Sequence, residues 1–337
     1  MYEKKIPFNK ILVTGGCGFI GSNFIRYILS KEKDVEILNF DSLTYAGNML
    51  NLSDFLKDDS YVFLKGDIAN FDEINQAILN FKPDAIVNFA AESHVDRSID
   101  NPNIFFETNV KGTLNLLQSS LHNNVNRFLQ VSTDEVYGSL GKSGTFTEQT
   151  NINPNSPYSA SKASADFFVR SFNKTYNLDT VITRCSNNYG PYQFPEKLIP
   201  LVISRIINNE KIPVYGDGMN VRDWIFVLDH CEGILSALVT GKAGEIFNFG
   251  GDTEISNISL VTQILEIMNG SESLIEFVED RKGHDFRYSV NFDKASSLLS
   301  WSPKTNFKDG LQLTIDWYLD NEMWLQSILS GDYLKFH

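Results

Sequence analysis

The stretch ILVTGGCGFIGS, residues 11–22, decides the fold of this chain. Its first four residues are apolar or β-branched, as in a buried strand, and a helical pattern follows the glycines. Gly16, Gly18 and Gly21 satisfy the pattern G-x-G-x-x-G, and together with Gly15 they also fit T-G-x-x-G-x-x-G. Such a turn lets the backbone approach a pyrophosphate, while the helix that follows offers free N–H groups and its positive dipole end. The stretch therefore predicts a dinucleotide-binding site.

Strands and helices continue to alternate through the first half of the chain. The pattern predicts strands at 11–14, 35–40, 61–65, 85–89, 127–132 and 180–184, and helices at 20–31, 71–81, 103–122 and 158–176. Nearly continuous apolar strands separated by helices indicate a parallel sheet that is covered on both faces. We therefore expect an α/β fold, a doubly wound parallel-sheet Rossmann domain with a smaller α/β C-terminal domain.

The domain boundaries are predicted from the sequence after Cys185, where prolines interrupt the alternation of strands and helices. Two later apolar runs, 223–227 and 245–249, are expected to return to the main sheet. The sequence thus predicts a dinucleotide-binding domain at 1–186 plus 223–252, and a substrate domain at 187–222 plus 253–337. The cleft between them is the expected substrate site.

Composition excludes several classes of protein. The 337 residues include 29 Lys and Arg against 42 Asp and Glu, a net charge of −13, which argues against nucleic acid as a partner. Only three cysteines are present, Cys17, Cys185 and Cys231, which suggests neither disulfides nor a metal site and fits a reducing compartment. No signal peptide or long apolar run is evident, so we expect a cytoplasmic protein with no membrane partner.

Two acidic residues refine the dinucleotide prediction. Asp41 ends the second strand, where an acidic residue would bind the ribose hydroxyls of the adenosine. No Arg lies within 41–51 to accept a 2′-phosphate, so NAD is favoured over NADP as the cofactor. Asp67, which follows the third strand, is equally consistent with a contact to the adenine amine and with a helix cap.

The candidate catalytic residues form two groups. Tyr158 and Lys162 stand four residues apart in YSASK, so a helix places them on one face, and the ammonium lowers the phenol pKa from its usual value of about 10. Thr133, Asp134 and Glu135 end the fifth strand, at the edge of the sheet where ligands bind. One carboxyl group there can protonate a leaving hydroxyl while the other removes a proton.

These motifs resemble the extended short-chain dehydrogenase/reductase superfamily, and longer strings resemble its dTDP-glucose 4,6-dehydratase family. The strings are DSLTYAGN (41–48), AAESHVDRSI (90–99), STDEVYG (132–138), YSASKAS (158–164), NNYGPYQFPEKLIP (187–200) and GHDFRY (283–288). The resemblance implies an NAD-dependent hydro-lyase that converts dTDP-glucose to dTDP-4-keto-6-deoxyglucose, a precursor of rhamnose-type deoxysugars. It implies oxidation at C4, loss of water across C5 and C6, and return of hydride to C6.

The resemblance also implies a role for individual residues. Tyr158 would accept the proton of the 4-hydroxyl, Thr133 would hold that oxygen, Glu135 would remove the C5 proton, and Asp134 would protonate the departing hydroxyl. The implied cofactor-binding residues are Gly15, Gly18, Phe19, Ile20, Gly21, Asp41, Ser42, Leu43, Thr44, Asp67, Ile68, Ala90, Ala91, Thr108, Tyr158, Lys162 and Asn188. The implied substrate-binding residues are Ser93, Thr133, Asn187, Lys197, Leu198, Pro213, Tyr215, Arg222, Asn257, Arg281 and His284.

The sequence departs from the family pattern in two places. The stretch 139–157 is shorter than in many relatives, and Lys282 stands where they usually carry Pro. The first departure should shorten a surface loop, and the second should alter the phosphate contacts slightly.

Three alternatives remain open at the level of sequence. The first is a 4,6-dehydratase of another NDP-hexose such as UDP-glucose, whose uracil base differs from thymine by one methyl group. An NDP-sugar 4-epimerase or a decarboxylase shares the glycines, Tyr and Lys but does not need the Asp134–Glu135 pair. An inactive NAD-binding protein would not need the complete catalytic set.

The helices at 103–122 and 158–176 carry more apolar residues than one sheet can cover, and relatives pair these helices across a two-fold axis. We therefore expect a homodimer.

Overall fold

A seven-stranded parallel sheet forms the first part of the molecule. The computed structural model describes residues 5–32 and 34–336. The strands are β1 (Lys10–Thr14), β2 (Glu36–Asp41), β3 (Tyr61–Lys65), β4 (Ala85–Asn88), β5 (Arg127–Thr133), β6 (Thr180–Cys185), β7 (Asn187–Tyr189), β8 (Ile212–Tyr215), β9 (Val221–Phe226), β10 (Ile246–Phe249), β11 (Glu254–Ser256) and β12 (Ile275–Val278). The order in the main sheet is β10-β6-β5-β4-β1-β2-β3, and every pairing in it is parallel. From β1, the strands β2 and β3 are added on one side and β4, β5 and β6 on the other. The strand order therefore reverses between β1 and β4, where a crevice opens at the carboxyl ends of the strands.

Helices cover this sheet and build most of the second part. They are α1 (Phe19–Lys31), α2 (Phe71–Phe81), α3 (Val95–Asp100), α4 (Pro102–Phe105), α5 (Thr113–His122), α6 (Pro157–Tyr176), α7 (Leu198–Ile207), α8 (Val227–Thr240), α9 (Asn257–Ile267), α10 (Asp293–Leu299), α11 (Phe307–Asp320) and α12 (Glu322–Leu329). A π-helical segment, Phe106–Gly112, joins α4 to α5 without a break. Short 3₁₀ turns lie at Met49–Phe55, Asp134–Tyr137, Glu272–Leu274 and Asp332–Phe336. No helix in the described ranges is both long and apolar enough to cross a membrane.

Side-chain alternation along the strands creates two buried layers. Leu12 of β1 and Phe128 of β5 belong to the apolar layer that includes residues of α2, α5 and α6. Val13 and Leu129, their chain neighbours, belong to the opposite layer, with residues of α1 and α8. Because successive side chains of a strand point to opposite faces, apolar residues at both positions require cover on both faces. The predicted doubly wound fold is confirmed.

The predicted elements of the first half are confirmed to within one residue at each end, with the segment 102–122 divided by its π-helical turn. One topological prediction is wrong. Of the two later runs, β10 joins the main sheet beside β6, but β9 pairs in parallel with β7 and antiparallel with β11 in a separate three-stranded sheet. An apolar run indicates that a strand is buried but not which strand pairs with it, so the sequence could not distinguish the two sheets.

A second apolar core lies beyond this small sheet. Tyr189 of β7 and Trp224 and Phe226 of β9 pack there with residues of α7, α9 and α11. Ile225, between the two β9 aromatics, belongs to the core of the main sheet instead. Strand β9 therefore contributes to both cores.

Candidate active site

The glycine-rich turn after β1 is packed too tightly for side chains. Gly15 has a φ of +69°, and a Cβ atom there would lie 2.5 Å from the backbone nitrogen of Ala90 at the end of β4. A Cβ on Gly21 would lie 2.3 Å from the Gly15 carbonyl oxygen. Gly18 is the N-cap of α1 and offers no side-chain cap to its first N–H groups. The turn therefore presents backbone donors at a helix N-terminus, as a pyrophosphate requires.

Asp41 connects this turn to the loop after β2. Its Oδ2 accepts a hydrogen bond from the backbone N–H of Cys17 at 2.9 Å, and its Oδ1 accepts one from Leu43 N–H at 2.8 Å. The side chain is 7% exposed and lines the cleft, where a ribose diol can reach it.

One continuous cleft contains almost all the residues that the resemblance assigned to the cofactor. Those lining it are Gly15, Gly18, Phe19, Ile20, Gly21, Asp41, Ser42, Thr44, Asp67, Ile68, Ala90, Ala91, Thr108, Tyr158, Lys162 and Asn188. Leu43 is the exception, because it is buried and is not part of the lining.

The helix-cap interpretation of Asp67 is wrong. Asn70 caps α2, its side chain accepting from the N–H groups of Asp72 and Glu73. The Asp67 carboxylate instead closes a local turn through Ala69 N–H at 2.8 Å.

Helix α6 carries Tyr158 and Lys162 into the cleft. The helix begins with a Ser156–Ser159 capping box and Pro157, which fix its first turn. Lys162 Nζ donates to the carbonyl oxygen of Val131 on β5 at 2.7 Å, and the Thr133 side chain lies near enough to Tyr158 to oppose the rise in its pKa. Burial lowers the pKa of Lys162, an effect that the Asp166 carboxylate opposes, and burial raises the pKa of Tyr158. A nearby ammonium is therefore needed to stabilise the phenolate.

Asp134 and Glu135 lie on the 3₁₀ turn that follows β5. Thr133 caps this turn, since its hydroxyl oxygen accepts from Glu135 N–H at 3.2 Å. Burial and the carboxylates of Glu135 and Asp223 hold the pKa of Asp134 well above its usual value. Burial also raises the pKa of Glu135, but the cations Lys197 and Arg222 oppose the shift. Asp134 is therefore the carboxyl group suited to keep its proton, and Glu135 the one suited to lose it.

A second cavity adjoins the first on its substrate side. Both cavities share as lining Glu135, Asn187, Asn188, Gln193, Glu196 and Lys197. The second cavity is lined by nine of the predicted substrate residues, namely Asn187, Lys197, Leu198, Pro213, Tyr215, Arg222, Asn257, Arg281 and His284. The remaining two, Ser93 and Thr133, line the first cavity. Of the candidate catalytic residues, Glu135 lines both cavities, and the others line the first.

The cations of the second cavity are held by protein oxygens. Lys197 Nζ donates to the carbonyl oxygen of Ser93 at 3.0 Å. Arg222 donates to the carbonyl oxygens of Val221 at 2.8 Å and Asp285 at 3.0 Å, and its guanidinium lies 4.6 Å from the centroid of the Tyr288 ring. Three cations around one cavity, with Arg281 as the third, can bind a diphosphate in a chain whose net charge is negative.

Sequence reasoning missed several residues of the cleft. Tyr288 lines the second cavity, and its hydroxyl donates to Asp285 Oδ2 at 2.5 Å. Glu196 lines both cavities and accepts from the Tyr45 hydroxyl at 3.0 Å. Both residues stand inside strings that indicated the family, but no local pattern shows that they face the cleft.

Comparison with known proteins agrees with this geometry. A family model described as GDP-mannose 4,6 dehydratase matches residues 12–314. The chain is 48% identical over 340 residues to a dTDP-glucose 4,6-dehydratase of Xanthomonas campestris pv. campestris (strain B100), covering 96% of each protein. It is also similar to the crystal structure of DesIV, a dTDP-glucose 4,6-dehydratase from Streptomyces venezuelae with NAD bound, at 48% identity and a TM-score of 0.91, covering 94% of this chain and 98% of that one.

A dTDP-glucose 4,6-dehydratase from Bacillus anthracis str. Ames, solved in complex with NAD, superimposes with a TM-score of 0.89 at 48% identity, covering 95% of this chain and 99% of that one. These matches span nearly the whole of both chains, and the resemblance expected from the sequence is confirmed. The chain belongs to the dTDP-glucose 4,6-dehydratase family of the extended short-chain dehydrogenases/reductases.

Proposed function

We propose that the chain converts dTDP-glucose to dTDP-4-keto-6-deoxyglucose with NAD as its bound cofactor, in the synthesis of rhamnose-type deoxysugar precursors. One observation carries the proposal. The buried Asp134 and the half-buried Glu135 line the first cavity together with Tyr158 and Lys162, and Glu135 also lines the second cavity. An epimerase needs only the oxidising pair, whereas a dehydratase also needs an acid and a base for elimination.

The first cavity fits NAD. The tight glycine turn leaves room for a pyrophosphate at the start of α1, and the buried Asp41 carboxylate suits a ribose diol while repelling a 2′-phosphate. When bound, NAD accepts hydride from the sugar C4 and returns it to C6 within the same cycle.

Oxidation at C4 depends on Tyr158. Its phenolate takes the proton of the 4-hydroxyl, and the neighbouring Thr133 holds the same oxygen. The Lys162 ammonium, fixed by the Val131 carbonyl, stabilises the phenolate electrostatically. The product of this step is a 4-ketone, which makes the C5 hydrogen acidic.

Elimination depends on the two neighbouring carboxyl groups. Glu135 takes the C5 proton, and Asp134, kept protonated by burial, gives its proton to the 6-hydroxyl, which leaves as water. A double bond forms between C5 and C6. Reduced NAD would supply the hydride that adds at C6, and the protonated Glu135 returns a proton to C5, which restores the saturated ring.

The second cavity binds the nucleotide. We assign the diphosphate to Lys197, Arg222 and Arg281, since guanidinium and ammonium groups are the usual phosphate ligands. Asn187, Asn257 and His284 supply further donors. The two bases differ by one methyl group, which changes binding by only about 1–3 kcal/mol. We therefore base the choice of thymine over uracil on the family rather than on the cavity.

The test is incubation of the purified protein with dTDP-glucose and, separately, with UDP-glucose. We expect the dTDP sugar to give the 4-keto product, which absorbs ultraviolet light in alkali, and the UDP sugar to react more slowly. Interconversion with the C4 epimer, without loss of water, would favour the epimerase instead. Equal reactivation of the apoprotein by NADP would contradict the assignment of NAD.

We also propose a homodimer through the helices at 102–122 and 157–176. Apolar side chains that remain exposed on these packed helices include Ile104, Phe106, Phe167, Phe168 and Tyr176, with exposures of 42%, 56%, 55%, 36% and 52%. A second copy of the chain would bury them by two-fold symmetry. A mass measurement at micromolar concentration should give a dimer, and Phe106→Arg should give monomer. A monomeric wild-type protein would contradict the proposal.

Compartment and domain division complete the proposal. All three cysteines are buried free thiols, in keeping with a reducing cytoplasm. We propose a cofactor part at 1–186 plus 223–252 and a substrate part at 187–222 plus 253–337, with β9 at their boundary.

A further inference from the structure

An ion pair joins the two sides of the substrate cleft. Arg281, in the loop after β12, contacts Asp96, on α3 of the cofactor part. The Arg281 Nη2 donates to Asp96 Oδ2 at 2.8 Å, and Arg281 Nε lies 2.5 Å from Asp96 Oδ1. Their side chains are 23% and 34% exposed. Arg281 lines the second cavity, and Asp96 is not part of the lining of either cavity.

The contact fixes one edge of the guanidinium. Asp96 accepts one hydrogen bond from Nη2 and lies beside Nε as an ion-pair partner, and the guanidinium has three further N–H bonds on Nη1 and Nη2. The guanidinium also lies 5.1 Å from the centroid of the Tyr215 ring, which lines the same cavity. A planar cation held at one edge and on one face keeps its remaining donors in one orientation.

Other carboxylates compete for this cation. The Arg281 charge opposes the rise that burial causes in the pKa of Glu135, and it adds to the His284 hydrogen bond in lowering the pKa of Asp280. Without Asp96, the flexible side chain could turn toward either carboxylate instead of the diphosphate. Asp96 satisfies the positive charge where it does not obstruct the cavity.

We propose that Asp96 is a positioning residue for the nucleotide: it holds the Arg281 guanidinium at the cleft so that the remaining N–H groups receive the diphosphate. The proposal rests on the proposed function, because it takes a nucleoside diphosphate as the ligand of the second cavity. It gives a role to a side chain of the cofactor part in binding the substrate.

A competing explanation predicts the opposite change in diphosphate binding when the Asp96 charge is removed. If Asp96 merely competed with phosphate for Arg281, removing its charge would strengthen diphosphate binding. If Asp96 positions Arg281, removing its charge weakens binding, because the arginine must then be ordered by the ligand itself.

The experiment is titration of the NAD-loaded protein with dTDP. We expect Asp96→Asn to bind dTDP about 10-fold more weakly than wild type, with an unchanged content of NAD, and to raise KM with little change in kcat. Thymidine, which lacks phosphate, should bind wild type and variant equally. Asp100→Asn is the matched control, since it makes the same charge change at the exposed end of the same helix and should behave as wild type.

A double-mutant cycle with Arg281→Gln tests whether Asp96 acts through Arg281. We expect Asp96→Asn to cause no further weakening in the Arg281→Gln background. Tighter or unchanged dTDP binding by the single Asp96→Asn variant would overturn the proposal, as would full additivity in the cycle. Failure of the wild type to bind dTDP would instead count against the proposed function, so the two failures are distinguishable.

Discussion

The cofactor side and the substrate side of the cleft are built in different ways. On the cofactor side, backbone geometry forms the site: a Cβ on Gly15 would lie 2.5 Å from the Ala90 nitrogen, and Asp41 bonds the N–H groups of Cys17 and Leu43. On the substrate side, charged side chains form the site, and they are held by oxygens from distant segments, such as Arg222 by the carbonyl of Asp285.

The difference teaches where each function can be changed. On the cofactor side, the glycine turn tolerates few substitutions because an added Cβ would collide with the backbone. Side chains on the substrate side can be exchanged one at a time, so affinity for the nucleotide should change there without loss of the fold. The proposed catalytic residues lie at the end of β5, on the 3₁₀ turn that follows it and on α6, and they should show the largest effects.

Removing the phenol hydroxyl should have the largest effect. We expect Tyr158→Phe to lower turnover by about 10⁴-fold, the upper end for general acid–base groups, because no base then accepts the 4-hydroxyl proton. Mixing the variant with dTDP-glucose should give no absorbance from reduced nicotinamide. Tyr176→Phe, at the exposed end of the same helix, is the control and should retain activity. Rapid nicotinamide reduction by Tyr158→Phe would identify a different base.

Removing the basicity of Glu135 should separate oxidation from elimination. Glu135→Gln preserves size, so Tyr158 can still assist oxidation at C4, but turnover should fall by about 10²–10³-fold. Reduced nicotinamide should therefore accumulate, and exchange of solvent deuterium into C5 should slow. Turnover at the wild-type rate with normal C5 labelling would show that another residue removes the C5 proton.

A methyl group in the glycine turn should affect only the cofactor side. Gly15→Ala adds a Cβ to a residue whose φ is +69° and brings it into close contact with the Ala90 backbone, so we expect loss of bound NAD and destabilisation by about 1–3 kcal/mol. Gly141→Ala is the matched control, since nothing lies within 4 Å of its added Cβ. NAD content after gel filtration and denaturant unfolding provide the measurements. Normal NAD content in Gly15→Ala would contradict the proposed pyrophosphate site.

A conservative change on the substrate side should have a smaller, selective effect. Arg222 donates to the two carbonyl oxygens from two separate nitrogens of a planar group, whereas Lys has a single nitrogen, so Arg222→Lys should raise KM about 10-fold and leave the NAD content unchanged. Arg205→Lys, at the exposed pair with Glu210, is the control. If Arg222→Lys lost NAD instead, the two sides of the cleft would not be independent.

The smallest effect concerns stability at low pH. His230 is fully buried, its Nδ1 lies 2.8 Å from Asn188 Oδ1, and burial lowers its pKa to about 3. The unfolded chain takes up a proton at this residue below about pH 6.5, but the folded chain does not until about pH 3, so acid favours unfolding. Between these values the free energy of unfolding should lose about 1.4 kcal/mol per pH unit from this residue.

His230→Asn should remove this contribution, so its urea unfolding should lose less stability than wild type between about pH 6.5 and pH 5. Its stability at neutral pH is the reference against which the loss is measured. An unchanged pH dependence would assign the acid sensitivity to other groups.

Sequence alone determined what depends on neighbours in the chain. The glycine turn, the spacing of Tyr158 and Lys162 on one helix, and the placement of Asp134 and Glu135 at a strand end are local features, because strand and helix periodicity fix which residues share a face. The same periodicity predicted the succession of strands and helices along the first half of the chain. The family strings added the remaining cofactor and substrate residues.

Tertiary structure alone decided what depends on contacts between distant segments. It placed β9 beside β7 and β11 rather than in the main sheet, and it brought Asp96 to Arg281 across 185 positions of the chain. It also set the pKa shifts of Asp134 and Glu135, whose causes include Asp223, Arg222 and Lys197 from other elements. Burial and long-range charge depend on which surfaces meet, and no local pattern encodes that.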